Sequence, residues 1–121
     1  MSEARVRILS VEDDPAQAEL IAKILGESTR PTFEVVSASS LADALAILQR
    51  RAFDLVLLEL ALPDSRPAET FARVQAAVPE VPIVILTDVE DTALAARAVE
   101  AGAQDYLTET EIHGPTIIRA I

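Results

Sequence analysis

The sequence has 121 residues, enough for one domain with its own hydrophobic core. Half of the residues are hydrophobic but only 3% are aromatic, so the core must be built from Ala, Val, Ile and Leu. The absence of cysteine excludes disulfides and thiolate metal sites, and a formal charge of −10 disfavours direct binding to nucleic acid phosphates. No apolar run approaches the roughly 18 residues of a membrane span, so we expect a soluble cytoplasmic protein.

Five short apolar segments rich in β-branched residues alternate with segments of helical spacing. Uninterrupted runs of this kind are typical of strands buried on both faces of a parallel sheet. Between the first two runs, Asp14-Pro15 predicts an N-cap followed by proline at the first helical position. The β-α alternation predicts a parallel sheet with helices on both faces. The predicted strands are 5–11, 33–38, 53–60, 81–87 and 105–108.

A fifth helix is predicted to begin after Gly114, in the stretch "GPTIIRAI". The sequence ends within its apolar stripe, with Ile117, Ile118 and Ile121 still requiring a surface to pack on. We therefore expect 1–121 to be one domain excised from a longer signalling protein, with its last helix truncated.

Carboxylates and hydroxyls follow several of the predicted strands. Glu12 and Asp13 follow the first strand, Glu59 ends the third and Thr87 ends the fourth. Ligands of open α/β sheets bind at the carboxyl ends of the strands, so these side chains should converge there. Capping of the next helix explains Asp14 but not three converging acids. Such an oxygen-only set suits Mg²⁺ or Ca²⁺, with Glu12, Asp13 and Glu59 as the ligands.

Four stretches resemble the receiver domain of bacterial two-component response regulators: "ILSVEDDP", "FDLVLLELALPDS", "VPIVILT" and "AGAQDYL". The resemblance implies a (βα)5 flavodoxin-like, doubly wound sheet of strand order 2-1-3-4-5. It also implies a signalling role rather than an enzymatic one. The family's acid pair falls on Glu12 and Asp13, its phosphoacceptor position on Glu59, its switch hydroxyl on Thr87 and its aromatic switch on Tyr106.

Two positions depart from the family pattern at the chemistry itself. Glu59 stands where the family has an aspartate, and Glu109 stands where it has a lysine. No neighbouring residue offers a rescue, because Asp54 begins the third strand, Asp64 lies in the following loop and Lys23 lies inside the first helix. We therefore predict a pseudo-receiver that is not phosphorylated in the usual way.

Three roles stay open for Glu59: a fixed mimic of a phosphorylated aspartate, a ligand of a structural metal ion, or a relic in a protein-binding scaffold. The alternative function is a working phosphoacceptor at Glu59, favoured by the acid pair and opposed by the missing lysine. A nucleotide-binding enzyme is a poor option, because "EDDPAQA" replaces the glycine-rich phosphate loop. Tyr106 and Thr87 are also consistent with ordinary strand residues.

The resemblance also implies protein partners, a histidine kinase or an output domain of the same chain. A homodimer could form through the face built from the fourth helix, fifth strand and fifth helix. We expect this domain to bind neither nucleic acid nor a membrane.

Overall fold

The computed structural model of the protein describes residues 5–28, 32–87 and 92–108, apart from the side chains of Thr87 and Thr92. Within these ranges strands and helices alternate, beginning with a strand. The elements are β1 (Arg5–Val11), α1 (Pro15–Gly26), β2 (Thr32–Ala38), α2 (Leu41–Arg50), β3 (Leu55–Glu59), α3 (Pro67–Ala77), β4 (Ile83–Thr87), α4 (Thr92–Glu100) and β5 (Asp105–Thr108).

The strands form one parallel sheet in the order β2-β1-β3-β4-β5. This is the doubly wound order of flavodoxin-like folds, so the predicted fold class is confirmed. The predicted fifth helix lies outside the described residues. No helix in the described part of the chain has the length and apolar character needed to cross a membrane.

The helices cover both faces of the sheet because alternate strand residues point to opposite faces. On one face, Leu9, Val56 and Ile85 pack with residues of α2, α3 and α4, among them Leu41 and Val74. On the other face, the buried Ile21 and Leu25 of α1 pack against residues of four strands: Ile8, Leu55, Leu57, Val84, Leu86 and Leu107. The core is therefore almost wholly aliphatic, as the composition predicts.

β3 and β4 are both shorter than predicted. Before β3, the amide of Asp54 donates to the carbonyl of Arg7, and a carboxylate oxygen of Asp54 accepts the Arg7 amide at 2.8 Å. A side chain thus takes a place that a backbone carbonyl would have in a regular ladder, and the strand starts one residue later. Before β4, Pro82 has no amide hydrogen to give to a ladder, so regular pairing begins at Ile83.

The predicted start of α1 is confirmed. Asp14 is the N-cap, its Oδ1 accepts the amide of Ala16 at 3.0 Å, and Pro15 is the first helical residue. α1 therefore leaves the end of β1 after a short turn, which keeps Glu12 and Asp13 at the carboxyl edge of the sheet.

A side-chain contact joins α3 to the end of α4. Nε2 of Gln75 donates to the carbonyl of Ala101 at 3.1 Å. The next residue, Gly102, has φ 126°, and an added Cβ there would lie 2.5 Å from Nε2 of Gln75. The backbone conformation thus favours glycine at 102, and a side chain there would displace the amide group of Gln75.

Candidate functional site

Glu12 and Glu59 lie level with each other on neighbouring strands. In the parallel register Val11 pairs with Leu58, so the residue after each of them occupies the same height at the carboxyl edge. Adjacent strands are about 4.8 Å apart, which brings these two positions together. The backbone register thus places Glu12 and Glu59 at the same edge of the sheet.

Both glutamates are buried and both fold over the turn that follows them. Glu12 is 5% exposed and Glu59 is 6% exposed. Oε1 of Glu12 accepts the amide of Asp14 at 3.1 Å, and Oε1 of Glu59 accepts the amide of Ala61 at 3.0 Å. Each carboxylate thus stabilises the first turn of the loop after its strand. Asp13, the other member of the acid pair, is exposed.

The chemistry of these oxygens suits a hard cation, but the described residues do not gather them into a metal site. No group of three or more His, Asp or Glu side chains in 5–28, 32–87 and 92–108 is arranged to hold a metal ion. One oxygen of Glu12 and one of Glu59 already accept a backbone hydrogen bond. Metal binding by Glu12, Asp13 and Glu59 stays a prediction, and we derive no chemical step from a metal ion.

The only lysine of the chain lies far from this edge. Lys23 is exposed and belongs to the last turn of α1. It follows Pro15 by eight residues, which corresponds to about 12 Å along the helix axis. Because α1 leads away from the carboxyl ends of the strands, Lys23 cannot supply the cation that the sequence lacks at position 109.

The remaining predicted site residues belong to β4, β5 and the segment beyond. The side chain of Thr87, at the end of β4, lies outside the described set, as does Glu109. Tyr106 is half-buried in β5, pairs with Ile85 of β4 and packs against the core shared by α2, α3 and α4. Its role as the aromatic switch stays a prediction.

A cleft of about 390 Å³ adjoins the acid pair at the carboxyl ends of β1 and β2. Glu12, Asp13 and Asp43 contribute its acidic side chains, and Arg50 contributes a basic one. Glu59 is not among the lining residues. The cleft is thus lined by residues at the ends of β1 and β2 and by residues of α1 and α2.

Asp64 has a role that its sequence position did not reveal. Its Oδ1 accepts the amide of Leu41 and its Oδ2 accepts the amide of Ala42, both at 2.9 Å. These two amides, with the cationic Arg73 nearby, hold the pKa of Asp64 below its ordinary value. The residues around Asp64 in the sequence do not indicate that its side chain caps a helix. Its partners lie 23 and 22 residues earlier in the chain, so no local pattern predicts these bonds.

Thr70 is a second residue that sequence reasoning missed. It is fully buried, and its Oγ1 lies 2.9 Å from the carbonyl of Arg66, 2.9 Å from Oγ of Ser65 and 3.2 Å from the carbonyl of Leu60. Its single hydroxyl proton can be donated to only one of these acceptors at a time. Thr70 therefore holds both ends of the loop that follows Glu59.

Several curated relatives cover most of this chain. It is 38% identical over 108 residues to the DNA-binding response regulator MtrA of Mycolicibacterium smegmatis, matching 88% of this chain and 45% of that protein. It is 32% identical over 106 residues to the response regulator protein PilR of Pseudomonas aeruginosa, matching 88% of this chain and 23% of that protein. The chain thus spans less than half the length of these relatives.

Solved structures agree with this relationship. The receiver domain of NtrX from Brucella abortus is 28% identical, with a TM-score of 0.82 and 93% of each chain covered. A receiver domain protein from Clostridium thermocellum shares the fold with a TM-score of 0.84 at 23% identity, covering 95% of this chain and 90% of its own. Residues 8–116 match the response regulator receiver domain. The chain therefore belongs to the response regulator receiver domain family, whose members are signalling modules of two-component systems rather than catalytic enzymes.

Proposed function

We propose that this receiver domain is atypical: it is not phosphorylated in the usual way and acts through protein–protein contacts. Its partners are a histidine kinase or an output domain of the same chain. The proposal rests on two substitutions at the reacting positions, Glu59 and Glu109, in a domain that forms the five-stranded parallel sheet of order β2-β1-β3-β4-β5.

The first reason is the reach of Glu59. Its carboxylate extends one carbon–carbon bond, about 1.5 Å, further than that of an aspartate. A misplacement of about 1 Å already costs around a hundredfold in a transfer that requires the reacting atoms to be aligned. Oε1 of Glu59 also accepts the amide of Ala61 at 3.0 Å, so the carboxylate is directed to its own loop.

The second reason, and the observation that carries the proposal, is the position of the single lysine. An arriving phosphoryl group brings negative charge to an edge that already holds Glu12, Asp13 and Glu59. A positioned cation normally stabilises that charge. Lys23, in the last turn of α1, is too distant to do so, and Glu109 adds an anion to the sequence where the family has its lysine.

Of the three roles open to Glu59, the scaffold has the best support. A phosphorylated aspartate carries about −1.5 to −2 charges and pairs with a lysine, whereas a glutamate carries one charge and has no lysine here. A metal-ligand role lacks a third ligand in the described part of the chain. The Glu59 carboxylate instead contributes to the order of the loop through Ala61.

The test is phosphorylation by a small molecule. The purified domain is incubated with Mg²⁺ and an acyl-phosphate donor, and its intact mass is compared with that of the Glu59→Asp, Glu109→Lys double variant. We expect the double variant to gain one phosphoryl group and the native protein to gain none.

The single variants identify the decisive position. Glu109→Lys alone restores the cation and leaves the longer acceptor, whereas Glu59→Asp alone restores the acceptor and leaves the anion. A native protein that gains the phosphoryl mass, and loses that gain in Glu59→Gln, would establish Glu59 as a working acceptor and overturn the proposal.

A further inference from the structure

The amino-terminal turn of α2 is completed by a residue from another part of the chain. The first backbone amides of a helix have no partner within the helix. In α2 the amide of Asp43 is taken by Oγ of Ser40 at 3.1 Å, which is an ordinary N-cap. The amides of Leu41 and Ala42 are taken by the two oxygens of Asp64, so one carboxylate supplies both remaining acceptors.

Asp64 belongs to the loop that follows Glu59, the last residue of β3. Leu60 and Leu62 of this loop are buried in the core, at 3% and 5% exposure. Oγ1 of Thr70, in α3, is within hydrogen-bond distance of the carbonyl of Leu60, and the carboxylate of Glu59 accepts the amide of Ala61. The loop is therefore short, and these contacts anchor it between the Glu59 carboxylate and the Asp64 carboxylate.

We propose that Asp64 couples this loop to α2, so that a change at the Glu59 carboxylate alters the order of the first turn of α2. If the Glu59–Ala61 bond is lost, the loop between Glu59 and Asp64 gains freedom. Asp64 then holds the amides of Leu41 and Ala42 for a smaller fraction of time. The coupling is reciprocal, so loss of the Asp64 contact must loosen Ala61 by the same free energy.

The inference goes beyond the proposed function, because it holds whether or not Glu59 accepts a phosphoryl group. It assigns α2, which adjoins the acidic cleft through Asp43, as an element that responds to the state of Glu59. Asp64 is a positioning residue here, since it contacts the helix and acts on it through two hydrogen bonds.

Amide hydrogen exchange followed by NMR tests the contact itself. In Asp64→Ala we expect exchange at Leu41 and Ala42 to accelerate by at least about tenfold, since both amides lose a charged acceptor. Asp64→Asn keeps one acceptor oxygen, so its exchange rates at these amides should lie between those of the native protein and those of Asp64→Ala. Asp14→Ala is the matched control, because it removes the same kind of bond at α1 and should affect Ala16 alone.

The coupling is tested from the Glu59 side. Glu59→Ala should accelerate exchange at Leu41 and Ala42 by at least about fivefold, the lower end of ordinary coupling energies. Glu59→Gln retains an acceptor for the Ala61 amide. It should change the exchange rates at Leu41 and Ala42 by less than about twofold. Core amides such as that of Leu57 serve as the internal standard, because general destabilisation would accelerate them equally.

Acceleration at Ala61 with no change at Leu41 and Ala42 in Glu59→Ala would overturn the coupling. If Glu59→Ala does not fold, the reciprocal measurement decides: Asp64→Ala must accelerate exchange at Ala61, and an unchanged Ala61 refutes the inference. No phosphodonor is used, so the result is independent of the mass experiment on phosphorylation.

Discussion

Replacement of Gly102 by alanine should destabilise the domain, and replacement of Gly26 should not. Gly102 has φ 126°, a conformation that costs a residue with a side chain about 1–3 kcal/mol. The added Cβ would also lie 2.5 Å from Nε2 of Gln75, at the far end of a flexible side chain. Gln75 can turn away, but its bond to the carbonyl of Ala101 is then lost, at about 0.5–1.5 kcal/mol. We expect a loss of about 2–4 kcal/mol in the free energy of unfolding.

Gly26 provides the opposite case in the same chain. It is the last residue of α1, its φ is not positive, and a Cβ there would meet no atom within 4 Å. Gly26→Ala should therefore raise the free energy of unfolding by up to about 0.5–1 kcal/mol, because alanine loses less backbone entropy on folding.

Urea denaturation measures both variants, and a double variant separates the two contributions. With Gln75→Ala already present, the further cost of Gly102→Ala should fall to the backbone contribution alone, about 1–3 kcal/mol. A Gly102→Ala protein within about 0.5 kcal/mol of the native one would refute the reasoning, as would an equal loss in Gly26→Ala.

Three further changes test separate features. Ser10 is fully buried and its Oγ has no hydrogen-bond partner among the described residues, so Ser10→Ala should raise the free energy of unfolding by about 1 kcal/mol, measured by urea denaturation; a loss of stability would mean that the hydroxyl is satisfied. Because its pKa is lowered in the folded state, Asp64 adds stability above the unfolded pKa of about 3.9, lost as pH falls through the lower folded value. In an NMR pH titration, the amide chemical shift of Leu41 should change as Asp64 is protonated, and this change should be absent in Asp64→Asn. The same change in both proteins would refute the assignment. Glu34 pairs with Arg5 and Arg51 at the surface, so Glu34→Gln should cost about 1 kcal/mol or less at low salt and less still at high salt, in thermal denaturation; a salt-independent loss would contradict this.

The fold could be predicted from the sequence because two patterns were clear. Continuous apolar runs indicated the strands, and apolar residues spaced three and four apart indicated the helices. The starts of β3 and β4 were missed for local reasons. Asp54 uses its side chain where a strand would use its backbone, and Pro82 has no amide hydrogen. The hydrophobic pattern reveals neither effect, because Phe53 and Val81 are apolar and extend the apolar segments of β3 and β4 toward their amino-terminal ends.

The site was predictable only in part. Glu12 and Glu59 were found because each follows or ends a strand, and the ends of neighbouring parallel strands meet at one edge. Asp64 and Ser10 gave no such signal. The bonds of Asp64 reach a helix that precedes it in the chain, and Ser10 lies inside an apolar run whose pattern does not reveal whether a hydroxyl has a partner.

The Asp64 contact also bears on the order in which the domain folds. Leu41 and Ala42 are separated from Asp64 by 23 and 22 residues, so α2 can be synthesised in full before its two outstanding acceptors exist. Closing that distance requires β3 to be in place, because Asp64 follows it by five residues. The first turn of α2 should therefore gain its final order late, after the pairing of β1 with β3, and should be among the first parts of the domain to open again.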